Sequence, residues 1–170
     1  MLSLPSGFAI FMRKGKNIEF GQLKGKGNTL IDQQEFYHGV VLVRLFDDPS
    51  MINIRRGDGG YIINDNNLVI IKYSTRNRSP WVFSFSDEEK HRIDQQASSF
   101  NNVVIALVCG GDGVCAIAKR ELDEIGGERS GALSVRRPFR QRYSVSGPLS
   151  DLAHRIAYNR LNSLAFSKTF

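Results

Sequence analysis

The chain has 170 residues, 41% of them hydrophobic and 24% charged, with a net charge of +6 and a pI near 9.5. That length fits one domain, 1–170, which buries about 70% of its extended-state surface and needs no disulfide or metal to fold. No run approaches the roughly 18 apolar residues that cross a bilayer, and the first residues lack the basic region and apolar core of a signal peptide. With two cysteines, the expected setting is the cytoplasm, away from membranes.

Residues 8–12 and 18–23 read as short strands around a polar turn. Thr29 followed by Asp32 has capping-box spacing, which opens a short helix through Glu35 that ends near Gly39. The run 40–46, Val-Val-Leu-Val-Arg-Leu-Phe, is apolar and rich in β-branched residues, so a central strand is expected there. Residues 51–55, 61–63 and 68–73 follow as strands separated by turns at 56–60 and 64–67. The segment 81–85 places Trp81, Phe83 and Phe85 on one face of a further strand. Ser86-Asp87-Glu88-Glu89 is a full capping box, predicting a surface helix to about Ser99 with Ile93, Ala97 and Phe100 inward.

Residues 103–109 form the second buried strand expected at the centre of the sheet. A Gly110-Gly111-Asp112-Gly113 turn leads to a strand at 114–118 and a helix over 120–125. Residues 133–135 and 143–145 have the character of a hairpin. Ser150 or Asp151 is placed to cap a last helix to about Ser163, with Leu152, Ile156 and Leu161 inward. The fold class is therefore α/β, or mixed α+β: one domain with a central mixed sheet flanked by helices.

Several chemistries lack their residues. The glycine turn has no following Lys-Ser or Lys-Thr pair to make it a phosphate loop. Cys109 and Cys115 flank that turn without further ligands at zinc spacing, so they read as buried structural thiols. Ser144-Val145-Ser146-Gly147 lacks the first glycine of a serine-hydrolase elbow.

The charge distribution is more informative. From Asp87 to Glu128 there are nine acids and four Lys or Arg, whereas from Arg129 to Arg160 there are seven arginines and one acid, Asp151. The stretch Arg136-Arg137-Pro138-Phe139-Arg140-Gln141-Arg142-Tyr143 concentrates that charge. Guanidinium groups at Arg136, Arg137, Arg140 and Arg142 suit phosphate oxygens, and Phe139 and Tyr143 suit exposed bases. Arg55, Arg56, Arg76 and Arg78 extend the same surface. The expected partner is DNA or RNA, otherwise an acidic protein. An aggregation-resistant edge hairpin is the bland alternative.

The order of elements from Thr29 to Cys109 also resembles the core of the restriction-endonuclease-like nuclease fold. A helix carrying Glu35 leads to three strands, an edge strand, a helix and a core strand. The resemblance implies a Glu on the first helix, an Asp on the second strand and an acid-x-Lys pair on the third, where carboxylates hold Mg²⁺ and the lysine orients the nucleophile. Lys72 fits that lysine, Asp58 or Asp65 stands for the first acid, and Ile70 occupies the second acid position. Three readings follow: a non-catalytic module binding nucleic acid or another polyanion without a cofactor, a Mg²⁺-dependent nuclease using Glu35, Asp58 or Asp65 and Lys72, or a protein-binding, immunity-type protein.

Overall fold

Asp32 begins the described chain's first helix: its carboxylate accepts from the Gln34 amide at 3.4 Å, and α1 then runs over Gln33–Phe46. A computed structural model describes residues 31–126 and 131–167, so the strands expected at 8–12 and 18–23 and the Thr29 cap lie outside the described residues. The expected central strand at 40–46 is instead the second half of α1. Tyr37, Val41 and Leu45 repeat every four residues and face the sheet. Glu35 in the first turn and Arg44 in the last complement the helix dipole. These terms outweigh the modest helix penalty of the β-branched residues.

After α1 come β1 (Ile54–Gly57), β2 (Gly60–Ile63) and β3 (Asn67–Ser74), a meander of antiparallel neighbours. The β2–β3 turn uses left-handed backbone at Asn64 and Asp65, residue types that tolerate it. Next are β4 (Trp81–Ser84) and α2 (Asp87–Ala97), whose Ser86–Glu89 capping box is fully formed. The chain continues through β5 (Asn102–Cys109), β6 (Gly113–Ala118) and α3 (Lys119–Glu124). It ends with β7 (Ala132–Arg136), β8 (Ser144–Ser146) and α4 (Arg160–Ala165).

The main sheet has the order β1-β2-β3-β5-β6, and β3 and β5 are its parallel pair, with Ile70 beside Ile105. The antiparallel remainder makes the sheet mixed. On β3, Leu68 and Ile70 face one core, while Val69 and Ile71 face the other; β5 divides the same way. Burial on both faces is why these strands read as unbroken apolar runs. Fully burying one such side chain contributes about 1.5–3 kcal/mol. One face is covered by α1 and α4, and the other by α2, α3 and a second sheet of order β4-β7-β8. The Trp81 strand thus belongs to the smaller sheet, with Trp81, Phe83 and Phe85 inward as expected.

The last helix is shorter than its capping residues suggested. Asp151 bridges to Ser146, the Leu152 amide donates to the Val145 carbonyl at 2.9 Å, and Tyr143 and Ile156 exchange two 2.8 Å backbone bonds. Pairing along β8 takes the backbone groups that a helix from Ser150 would have used. Leu152, Ile156 and Leu161 are nonetheless buried. No helix among the described residues is long and apolar enough to cross a membrane.

Candidate nucleic-acid interface

The lengths of β2 and β3 create a concavity. β2 pairs with β3 only at Asn67, Leu68 and Val69, whereas β5 pairs with β3 through Ser74. Among the described residues, the carboxyl half of β3 therefore has no strand beside it on the β2 side. An open cleft of about 810 Å³ occupies this notch, bordered by the start of α1, the β1–β2 turn, β3 and the following loop. Ligands in open α/β sheets commonly sit beyond the carboxyl ends of parallel strands, as this cleft does.

Lys72 lies on the α2 side of β3. Its Nζ donates to Glu89 Oε1 at 2.7 Å and lies 5.1 Å from the Phe85 ring centroid. Glu89 Oε2 accepts from the Ser86 amide at 2.8 Å. Burial pushes the Glu89 carboxyl upward, but the hydrogen bonds from Lys72 and Ser86 outweigh it and leave the group below its usual range. The residue that caps α2 thus also neutralises Lys72, a second role that local sequence does not reveal.

The opposite wall carries His38 and Tyr61. Tyr61 is the cross-strand partner of Arg56, and its hydroxyl lies 3.1 Å from His38 Nδ1. Burial lowers the His38 pKa, and the nearby Arg56 charge lowers it further, so the imidazole is neutral at pH 7. Burial raises the Tyr61 phenol, against the opposing pull of Arg56. Tyr73 stacks on Tyr37 with centroids 4.7 Å apart, fixing another ring beside the cleft. His38 and Tyr61 are 23 residues apart and were not singled out by the sequence; only helix packing on the sheet joins them.

Lys72 pairs with Glu89 and with none of the acids suggested by the nuclease resemblance. Glu35 is exposed in the first turn of α1. Asp58 lies in the β1–β2 turn, where its carboxylate pairs with Arg92 at 3.5 Å and its carbonyl accepts from Gln96. Asp65 lies in the turn at the other end of β2, paired with Arg55 at 3.5 Å and accepting from Asn53 at 2.9 Å. Among the described residues, no three His, Cys, Asp or Glu side chains form a group that holds a metal ion. A hard divalent cation wants several convergent oxygen ligands. Glu89 is engaged by Lys72 and Ser86, and Asp58 by Arg92, so the described residues do not by themselves fit Mg²⁺.

The arginine stretch forms the β7–β8 connection, and it divides into two kinds of residue. Tyr143 is 0% exposed, which corrects its assignment as a base-stacking residue. Its hydroxyl donates to Asp112 Oδ2 at 2.7 Å, and both burial and that hydrogen bond raise its pKa. Arg137 Nη1 donates to the same carboxylate oxygen at 2.9 Å, its Nε donates to the Gln141 carbonyl, and its guanidinium lies 4.9 Å from the Tyr143 ring centroid. Arg137 is therefore a bracket between the β5–β6 turn and the β7–β8 connection, not a free phosphate contact. Arg136, Arg140 and Arg142 are exposed, and Phe139 is 86% exposed with Arg140 5.1 Å from its ring.

The cleft and this turn are neighbours. The loop 75–80 leaves the cleft, the Trp81 indole donates to the Arg76 carbonyl at 2.9 Å, and the Arg137 amide donates to Ser79 Oγ at 3.3 Å. Gly110 has φ +54 and lies so close to this loop that an added Cβ would stand 2.2 Å from the Arg76 carbonyl oxygen. Glycine is required there for both conformation and space. Arg76 and Arg78 are exposed on the loop. Nearby Cys109 and Cys115 are free and buried, opposite Gly113 and Leu107 respectively. Burial pushes both thiols far above their usual range, so neither is a thiolate nucleophile.

The arrangement defines a mixed α+β protein whose main sheet opens, at the carboxyl ends of its parallel strands, into a cleft bordered by cations and aromatic rings. Compared with protein-family models, curated proteins and solved structures, the chain gives no match to any of them.

Proposed function

We propose that the protein binds nucleic acid without cleaving it, on a scaffold of restriction-endonuclease-like kind. The observation that carries this reading is the cleft at the end of β3. Among the described residues its charged lining is Arg56, Lys72 and Arg76 against the carboxylate of Glu89, and it adjoins the exposed Arg136, Arg140 and Arg142. Cations spaced along a groove suit a backbone of regularly spaced phosphates. The misfit to Mg²⁺ favours binding over hydrolysis.

The test is fluorescence anisotropy with labelled oligonucleotides over a salt series. For duplex DNA the log–log slope is about −0.9 per phosphate contacted. The Arg136→Ala, Arg140→Ala, Arg142→Ala triple variant should make the slope shallower by up to about three units. Incubation with Mg²⁺ should leave the oligonucleotide intact; cleavage abolished by Glu89→Gln would instead establish the nuclease. Binding that ignores salt would remove the nucleic-acid reading and favour an acidic protein partner.

A further inference from the structure

We propose that the cleft receives a single strand, with one unpaired base seated against Tyr61 and His38 and the adjoining phosphates on Arg56 and Arg76. This deepens the nucleic-acid reading and rests on it. The first argument is composition. Single-strand sites combine a cationic track with rings on which bases stack, and this cleft places Tyr61, Tyr73 and His38 among Arg56, Lys72 and Arg76. The second is rigidity. The His38–Tyr61 bond and the Tyr37–Tyr73 stack hold the rings in place before a base arrives, which reduces the ordering cost of binding.

The third argument is the edge of β3 that no described strand covers. From Ile71 to Ser74 the strand lines the cleft and has no β2 residue paired to it. Its outward amides and carbonyls are donors and acceptors of the kind that match the pairing edge of a base. In a duplex that edge is occupied by the complementary base; in a single strand it is available. The volume of about 810 Å³ falls within the roughly 300–1,000 Å³ of sites that enclose small organic ligands, which suits one or two nucleotides. On the β7–β8 connection, the exposed ring of Phe139 supplies a further stacking surface for a strand that extends past the 75–80 loop.

The experiment compares the full chain's affinity for a 12-nucleotide single-stranded DNA, the RNA of the same sequence, a duplex of equal charge, and a 12-mer in which abasic sites replace the central bases. The expected result is tighter binding of one or both single strands than of the duplex. The abasic strand should bind about 5- to 150-fold more weakly, the range associated with loss of one stacked base. The DNA and RNA arms decide which sugar is preferred. Tyr61→Leu should reproduce the abasic loss on the intact strand and bind abasic and intact strands equally; an unchanged circular dichroism spectrum shows that the fold is retained. Because the abasic arm uses the unmodified protein, the inference stays testable if Tyr61→Leu does not fold. Salt-dependent binding that is equal for the abasic and intact strands, or tighter for the duplex, overturns the single-strand site and leaves the nucleic-acid reading standing. Absence of salt-dependent binding to every probe overturns both.

Discussion

Replacing Tyr143 with Phe should destabilise the protein without touching its binding surface. The substitution removes one hydroxyl from a side chain that is 0% exposed and leaves the ring packed against Trp81, 6.4 Å away between centroids. The lost bond is a 2.7 Å donation to a carboxylate, and hydrogen bonds to charged groups contribute about 1.5–3 kcal/mol. The Asp112 side chain is 32% exposed and keeps its ion pair with Arg137, so water partly replaces the phenol. The loss should therefore fall near the lower end, about 1.5–2 kcal/mol. For a chain of this size, each kcal/mol lowers Tm by about 2–4 °C, giving a shift of roughly 3–8 °C. Urea unfolding should show a lower midpoint at an unchanged slope, and the salt dependence of oligonucleotide binding should match the parent protein. A loss below about 0.5 kcal/mol, the ordinary size for surface substitutions, or a shallower salt slope would refute the assignment of Tyr143 as structural.

Two further predictions concern buried charge. Glu121 is 3% exposed, accepts from the Ala118 amide at 2.7 Å and from Arg160 at 2.8 Å, and lies 2.7 Å from His154 Nε2. Breaking a buried pair costs about 3–5 kcal/mol. Because Arg160 and His154 keep 20% and 52% of their side-chain surface in solvent, Glu121→Gln should cost about 2–3 kcal/mol in urea unfolding at pH 7; an effect under about 0.5 kcal/mol would contradict it. His38 has its pKa lowered in the fold, so the unfolded chain binds the extra proton first. Its contribution is complete above the unfolded value of about 6.5 and is lost as pH falls through the lower folded value. Midpoints measured from pH 7.5 to 5 should fall more steeply for the parent than for His38→Gln, and parallel curves would contradict this. The carboxyls of Glu89 and Glu121 are lowered as well, but their losses lie below their unfolded value of 4.5 and so outside that range.

Sequence made some elements plain for physical reasons. β3 and β5 are buried on both faces, which demands continuous apolar text, and the Ser86 box and the glycine turn at 110–113 are local chemistry. The first helix was obscured because its face repeats through Tyr37, Val41 and Leu45, while 40–46 taken alone looks like a strand. At 151–159 capping residues were present, yet pairing with β8 claimed the backbone. Lys72 was legible, but its partner Glu89 was seen only as a cap. His38 and Tyr61 come together through tertiary packing that leaves no spacing to read. Tyr143 was misassigned by its arginine neighbours, although its alternation with Val145 already put both on the inward face of one strand.

The Asp112 carboxylate that grips both Arg137 and Tyr143 has a mechanical meaning beyond stability. It pins the turn carrying Arg136, Arg140 and Arg142 to the β5–β6 corner beside the cleft, so the two contact areas keep a preset separation, like jaws on a common hinge pin. A ligand held in one jaw meets the other as an intramolecular event, at an effective concentration governed by reach. Affinity should then rise with oligonucleotide length as a step and not as a ramp. Strands too short to span the jaws gain nothing from the second, and the shortest strand that does span them gains the full benefit at once.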